Sequence, residues 1–349
     1  MKRVTQCCYA NLTTMIKRTL SILFPFLFIS LAHGQDPHYT QFFSAPFTVN
    51  PAYVGVFDGQ YRAMCNYRQQ WDNIAAPYIT STIGMDLKLV QEGGSKNPFN
   101  VGLQLMNDRS MNGVFKSNYF GLMASYHVTL DNEGYQTLGA GLSSSFGDRR
   151  IDYSTVTFDQ QFTSGGFDVN LPSGESALQN MKPFISIGAG LLYRYDNDEK
   201  GEYFEFGASG FHFNKPKQTF LADPNEFLPV RISLQGSYQK YVNDYTILNI
   251  KALYQTQAKA QYLLGGLSVG KIIGDQKNLV GLGVWYRTSD AVSPYVFGEY
   301  SRIRLGLTYD VAVTDLKNVR KPSRSFEFSL QWRLRRANSA DRVYMMGSN

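Results

Sequence analysis

The chain has 349 residues, a formal net charge of +6, 43% hydrophobic residues and only 18% charged residues. This composition excludes an intrinsically disordered protein, and the length allows one large β-barrel or two ordinary domains. The high counts of Gly, Phe and Tyr (31, 24 and 23) favour a twisted all-β protein. No basic stripe indicates a nucleic-acid partner.

An export signal opens the chain. Two basic residues precede a short apolar run, Leu20–Ala32, which is too short for a transmembrane helix. Small residues follow the run, so we expect a signal peptide over residues 1–34, with cleavage between Gly34 and Gln35. The leader contains basic residues but no acidic ones, so the mature chain is close to neutral.

A segment rich in aromatic residues and proline, residues 35–58, comes next. It contains DPHYTQFF at 36–43 and NPA at 50–52. The prolines interrupt any regular strand ladder, whereas the aromatic rings need to be buried. We therefore expect this segment to pack on or inside the body of the protein.

Strands with alternating side chains follow, over residues 59–335. In the last of them Phe326, Phe328, Leu330 and Trp332 fall on one face, while polar and charged residues fall on the other. In water the apolar face would be buried in a core. In an outer membrane it would face lipid, and the polar face would line a wet lumen. We count about fourteen such segments, and most have the length of a tilted membrane strand.

The connections between strands distinguish these two environments. Connections after even-numbered strands are mostly short, whereas the long ones follow odd-numbered strands. The long ones are Asp108–Lys116, Gly147–Met181, Asn214–Leu228 and Val313–Ser323. A soluble sandwich has no reason to sort its loops in this way, but an outer-membrane barrel has short periplasmic turns and long outer loops.

The fold prediction is therefore an all-β, antiparallel transmembrane outer-membrane β-barrel of about fourteen strands. Both termini are expected on the periplasmic side, and residues 336–349 are expected to form a C-terminal tail. The basic end at Arg333–Arg336 would then lie on the same side.

No pattern in the sequence indicates catalysis, a cofactor or a metal. The histidines after the leader, His38, His127 and His212, lie on different predicted elements. The glycine pairs in the strands are not followed by a helix, and no serine lies in a nucleophile elbow. We predict no catalytic, cofactor-binding or metal-ligating residue, and hence a protein without enzymatic activity.

Motifs spread over nearly all of the mature chain carry a family resemblance. Besides the N-terminal segment they are NYRQQW at 66–71, VTFDQQF at 156–162, FHFNKP at 211–216, WYR at 285–287, LGLTYD at 305–310 and FEF at 326–328. This combination resembles the PorP/SprF family of the type IX secretion and gliding machinery. One departure is a Gly- and Ser-containing insertion, Gly165–Gln179.

The resemblance implies a non-enzymatic outer-membrane barrel in contact with outer-membrane lipid. Such a barrel helps to secrete large client proteins with a C-terminal sorting domain, such as adhesins, or to retain them at the surface. It is linked to a periplasmic lipoprotein that binds peptidoglycan. A channel for small solutes is the alternative function, and a secreted glycan-binding sandwich is a third that the loop sorting disfavours.

Two long outer loops carry the candidate partner-binding residues. These are Tyr153, Phe158, Asp159 and Phe162 in the first loop, and Phe220 and Phe227 in the second. Aromatic side chains dominate protein interfaces, so we expect the loops to hold the client. The N-terminal segment and the short turns would then face the peptidoglycan. Alternatively, these aromatic residues fold the loops back over the barrel mouth.

Overall fold

The computed structural model describes residues 36–71, 76–89, 99–153, 156–174, 181–218, 226–274, 278–288, 290–313 and 324–334. The fold belongs to the unit that runs from Pro37 onward. Its strands are β1 (Tyr61–Gln70), β2 (Tyr78–Leu89), β3 (Phe99–Ser110), β4 (Phe115–Thr129), β5 (Gln136–Ile151), β6 (Phe162–Thr163), β7 (Gly166–Phe167), β8 (Phe184–Asn197), β9 (Glu202–Phe211), β10 (Arg231–Asn243), β11 (Thr246–Gln257), β12 (Ala260–Ile273), β13 (Asn278–Arg287), β14 (Ala291–Tyr300), β15 (Ile303–Ala312) and β16 (Arg324–Leu334).

Fourteen of these strands form one closed antiparallel barrel, which confirms the predicted fold class. Each barrel strand pairs with the next barrel strand along the chain, so that β5 pairs with β8, and β1 closes the barrel against β16 from Tyr61↔Leu334 to Gln70↔Ser325. The short strands β6 and β7 form a separate hairpin in the connection between β5 and β8. Short 3₁₀ turns occur at Pro46–Thr48, Pro51–Tyr53, Met111–Gly113 and Asp159–Gln161.

The predicted alternation of side chains is confirmed along the strands. In β15, Leu305 and Leu307 are exposed on the outer face, whereas Arg304 and Thr308 are buried on the inner face. The same holds in β16, where Glu327 points inward and Phe326 outward. An apolar outer face of this kind is what a barrel presents to lipid. No helix in the described ranges is long and apolar enough to cross a membrane.

The two ends of the barrel carry connections of different length. The loop rim is the end at which β1 finishes and β16 begins, and it carries the long connections at 152–183 and 212–230. The turn rim is the opposite end, where β1 begins and β16 finishes. Most of its connections are short, for example the two residues between β10 and β11 and the two between β14 and β15; the connection between β2 and β3, at 90–98, is longer.

One predicted long loop, Asp108–Lys116, is mostly strand. β3 continues to Ser110 and β4 begins at Phe115, with Asn107 Nδ2 donating to Asn118 Oδ1 at 2.7 Å across the pair. Both faces of these strand ends carry polar residues: the outward ones are exposed, whereas Ser110 and Ser117 on the inner face are buried. Without apolar residues on the outer face the period-2 hydrophobic pattern is absent, so the prediction ended the strands too early.

The inner face is also less uniformly polar than predicted. Strands β11–β14 turn Ile247, Leu264, Trp285 and Phe297 inward, where they form a buried apolar cluster. We expected the inward side to line a wet lumen. Rings from the N-terminal segment cover this part of the wall instead, so it packs as a protein core.

Candidate functional site

The plug segment, Pro37–Phe57, fills the lumen. Nearly all of its side chains are buried, including Tyr39, Phe47 and Val54. Near the loop rim Tyr39 Oη bonds Thr82 Oγ1 at 2.5 Å, and near the turn rim Lys88 Nζ donates to the carbonyl of Phe57. The segment therefore runs through the barrel from the loop rim to the turn rim before β1 begins.

This course corrects the expectation that the whole segment lies with the short turns. Only its last residues do so. Its first residues lie at the loop rim, where Arg68 Nη1 donates to the carbonyl of His38 at 2.5 Å and the His38 ring lies 5.1 Å from that of Tyr262. The physical reason is that charged side chains of the wall point inward near both rims and bind the backbone of the plug segment there.

Glu327 holds the loop-rim end of the plug segment by its backbone. The two carboxylate oxygens accept hydrogen bonds from the N–H groups of Thr40 and Gln41, at 2.8 Å each. The Gln41 side chain adds a bond from Nε2 to the carbonyl of Glu327 at 3.1 Å, and Ser329 Oγ donates to Gln41 Oε1 at 2.6 Å. Two consecutive N–H groups, which have no strand partner, are satisfied in this way.

Asp310 joins the same end to two arginines. Its Oδ2 atom lies 3.0 Å from Arg68 Nη2 and 2.9 Å from Arg287 Nη2. Thr40 Oγ1 donates to Asp310 Oδ1 at 3.2 Å and accepts from Arg287 Nη1 at 3.0 Å. With Glu327 the buried part of the cluster contains two carboxylates and two guanidinium groups, so its charges balance. Half-exposed Asp290 adds a further carboxylate, with Oδ2 2.5 Å from Arg287 Nε.

This cluster unites four of the motifs that carried the family resemblance. Arg68 comes from NYRQQW, Arg287 from WYR, Asp310 from LGLTYD and Glu327 from FEF. These four residues are far apart in the chain but meet around His38 and Thr40 of the N-terminal motif. Sequence reasoning missed this site. A signal was available in the sequence: several membrane strands carry a charged residue at an inward position. Such a charge needs a partner in the lumen.

Asn50 fixes the middle of the plug segment. Its Oδ1 atom accepts from the N–H of Ala52 at 2.8 Å, which starts the 3₁₀ turn, and Nδ2 donates to the carbonyl of Leu191 at 3.0 Å. Glycines of the wall make room, because a Cβ atom at Gly141 would lie 2.4 Å from the nitrogen of Ala52 and one at Gly190 would lie 2.0 Å from Asn50 Oδ1.

A buried ion pair holds the turn-rim end. Arg62 Nη2 lies 2.8 Å from Asp86 Oδ2, and both side chains are shielded from solvent. Asp86 Oδ2 also accepts from the N–H of Gly55 at 2.7 Å. Arg62 donates to the carbonyls of Tyr53 and Val56 at 3.1 and 3.0 Å. Gly55 has a φ of +77°, a conformation that favours glycine.

The carboxylates of Glu327, Asp310 and Asp86 accept hydrogen bonds from groups of the plug segment, and those of Asp310 and Asp86 also accept from guanidinium groups of the wall. Within the described ranges no group of three or more His, Cys, Asp or Glu residues could hold a metal ion. The arrangement is suited to holding the plug segment in place.

The first long loop presents an aromatic hairpin outside the barrel. Phe162 and Phe167 are paired across β6 and β7, their ring centroids lie 5.0 Å apart, and the side chains are 63% and 56% exposed. Buried Gln161 supports the hairpin, since its Oε1 accepts from the N–H of Phe158 at 3.0 Å and its Nε2 donates to the carbonyl of Leu171 at 2.8 Å.

The other candidate residues differ in placement. Tyr153 and Phe158 are half-buried, and Asp159 is exposed at the start of the 3₁₀ turn. Phe227 lies in the second loop, exposed and bridged to Lys217. Phe220 and the expected cleavage site, Gly34 and Gln35, lie outside the described residues. The structure thus brings Phe158 and Phe162 into one loop body, while Phe227 belongs to another.

The family model for the type IX secretion system membrane protein PorP/SprF matches residues 31–332. The chain belongs to the PorP/SprF family. This family and the closed barrel place the protein in the outer membrane. The comparison with curated sequences gives no significant match.

Solved structures that match this chain include channels and porins. The CymD monoaromatic hydrocarbon channel is 10% identical, with a TM-score of 0.47, and the match covers 85% of this chain and 94% of that one. A FadL homologue from Pseudomonas aeruginosa is 12% identical, with a TM-score of 0.44 and coverages of 81% and 91%. The KdgM porin in complex with disordered oligogalacturonate is 8% identical, with a TM-score of 0.36 and coverages of 77% and 98%.

Proposed function

We propose that this PorP/SprF protein is a non-enzymatic holder in type IX secretion, and that its loop rim retains an exported client at the cell surface. The observation that carries the proposal is the exposed aromatic hairpin of Phe162 and Phe167 on the long-loop side. Exposed aromatic side chains on a supported loop are typical anchors of a protein interface. The client would be a protein with a C-terminal sorting domain, as the family membership suggests.

The turn rim is the proposed site of a periplasmic, peptidoglycan-bound lipoprotein. In this arrangement the long loops face outward and both termini face the periplasm, as in bacterial barrels with an even number of strands. The two partners would then occupy opposite ends of one body. Tyr245 lies on a short turn at that rim, and its side chain is 63% exposed, so a partner could contact it there.

A solute channel is the second candidate function. The plug segment opposes it, because buried side chains from Tyr39 to Phe57 occupy the lumen and bind the wall at both rims. Planar-bilayer recordings of the purified protein are therefore expected to show no stable open-channel conductance. Steady conductance would favour the channel.

The holder function is tested by replacing Phe162 and Phe167 with Ser. The expected result is release of the client into the medium, with normal heat-modifiable mobility of the barrel and normal co-purification of the periplasmic partner. Point substitutions are sharper than deletion of Gly165–Gln179, which would also remove groups bonded to Gln161. Tyr245→Ser is the matched control, with the same exposed fraction on the opposite rim. Retention of the client by the double variant, or loss of both partners together, would refute the proposal.

A further inference from the structure

A groove on the lipid-facing surface lies outside the function proposed above. It crosses strands β4, β5, β8 and β9 and has a volume of about 650 Å³. Its floor consists of small residues, Ala124, Ala140, Ala189 and Ala208, and its walls of larger apolar side chains, among them Leu142. The groove is therefore a hollow in a surface that acyl chains cover.

Strand pairing explains the hollow. Outward-facing residues on adjacent strands alternate between large and small, as in the row Ala124↔Leu142↔Ala189. The next row follows the same rule, with Ala140↔Leu191↔Ala208. Each alanine leaves a recess next to the larger leucine with which it is paired. Two such rows lie side by side, so their recesses join. The recess is thus specified by the register of the barrel.

Basic residues gather on the loop rim of the same strands. Lys116 on β4, Arg150 on β5, and Lys182, Lys215 and Lys217 next to β8 and β9 are all exposed. Among the described residues at these strand ends the carboxylates are Asp148, which pairs with Arg150 at 2.8 Å, Asp152, which directly follows β5, and Glu226, whose segment runs beside Gln218. Asp159 and Asp168 lie in the connection between β5 and β8. Positive charge is therefore in excess at the strand ends.

The backbone brings this charge to the end of the groove. Asn214 bonds β8 twice, accepting from the N–H of Ile187 at 3.1 Å and donating to the carbonyl of Ile185 at 2.7 Å. Lys215 follows directly, and Lys182 precedes the same strand by two residues. Phe213 lines the groove, and its ring packs against Gly210. A Cβ atom at Gly210 would lie 2.3 Å from the Phe213 ring.

We propose that this groove and its basic edge form a binding site for lipid A, the phosphorylated glycolipid of the outer leaflet. The acyl chains occupy the recess, and the phosphates contact Lys116, Lys182 and Lys215. Charge complementarity favours this occupant over a second barrel, because clustered lysines next to lipid attract anionic headgroups. Lipid A is the choice because the loop rim is taken as the outer rim, as in the proposed function.

The test titrates the purified full-length mature barrel in detergent with lipid A and follows binding by native mass spectrometry. Ala140→Phe fills the recess, and the triple change Lys116→Gln, Lys182→Gln, Lys215→Gln removes the charge. Each is expected to weaken binding, the triple variant by roughly a hundredfold, because three lysines near such a surface act together on an anionic headgroup.

Two controls match these changes. Ala63→Phe fills a second lipid-facing groove, also about 650 Å³, that lies near β1 and β16. Lys200→Gln, Lys240→Gln, Lys271→Gln removes exposed charge at the turn rim. Both are expected to leave lipid A binding unchanged.

Unaltered lipid A binding by Ala140→Phe or by the triple lysine variant would overturn the site. An equal loss of binding in the controls would do the same. Equal binding of phosphatidylglycerol would overturn the assignment to lipid A. A dimer that Ala140→Phe dissociates would identify a second copy as the occupant. None of these readouts uses the client, so a failure here is distinguishable from a failure of the holder function.

Discussion

Glu327→Gln is expected to loosen the plug segment at its loop-rim end. Both carboxylate oxygens accept a backbone N–H, from Thr40 and Gln41, at 2.8 Å. Glutamine has nearly the same shape, but its NH₂ group cannot accept a hydrogen bond, so one buried N–H loses its acceptor at a cost of about 1–3 kcal/mol. The charge near Arg68, whose Nε lies 3.8 Å from Oε2, is also lost. Together these effects amount to about 2–4 kcal/mol.

Thiol labelling measures this loss. Ala45, buried in the plug segment, is changed to Cys in a Cys65→Ser background, so that only an opened plug exposes the thiol. Because each 1.4 kcal/mol is tenfold in a population, the labelling rate should rise roughly 30-fold or more. The matched control is Glu202→Gln, which breaks the exposed pair with Lys240 at 2.8 Å and should change nothing. A labelling rate within about threefold of the parent, in a barrel of normal heat-modifiable mobility, would refute the role of Glu327.

Three further predictions concern the wall and the leader. Gly281→Ala should destabilise the barrel by about 1–3 kcal/mol in urea unfolding, because its Cβ would lie 2.3 Å from the Phe297 ring; Gly298→Ala, with no neighbour closer than 3.8 Å, is the control. Leu307→Arg, on the lipid face, should cost about 2–4 kcal/mol and lower the folded yield, whereas Tyr300→Arg at the rim should cost at most about 1 kcal/mol. N-terminal mass spectrometry should find Gln35 as the first residue, and retention of Leu20–Ala32 would contradict the expected export signal.

The barrel could be predicted from the sequence because its two determinants are local. Alternation such as that of Leu305 and Leu307 against Arg304 and Thr308 is fixed by the geometry of a single strand. Loop length is read directly along the chain, and the long connections at 152–183 and 212–230 lie on one rim. Strand ends were harder, since β3 and β4 continue into residues that are polar on both faces, and the pairs from Asn107 to Lys116 show no alternation of apolar and polar residues.

The contents of the lumen could not be predicted in the same way. The sequence indicates that Phe42 and Phe43 need to be buried. Their partner Trp285 lies more than two hundred residues away, and its ring centroid comes within 4.9 Å of that of Phe43 only after the barrel closes. Likewise Asp310 and Glu327 gain their roles from Arg68 and Thr40 across the closing seam. In the first long loop, Phe162 could be predicted as an interface residue because it is an aromatic residue in a long connection. The supporting role of Gln161, which is buried beside it, could not be predicted.

The filled lumen limits what the barrel can contribute to secretion. Two buried charged clusters, around Asp310 at the loop rim and around Asp86 at the turn rim, hold opposite ends of the plug segment. Opening the lumen would also expose the apolar cluster around Trp285 to water, and this loss of buried apolar surface favours the closed state. A barrel filled in this way offers its surfaces to partners. Its loops, its turn rim and its lipid face are therefore the places to look for its partners.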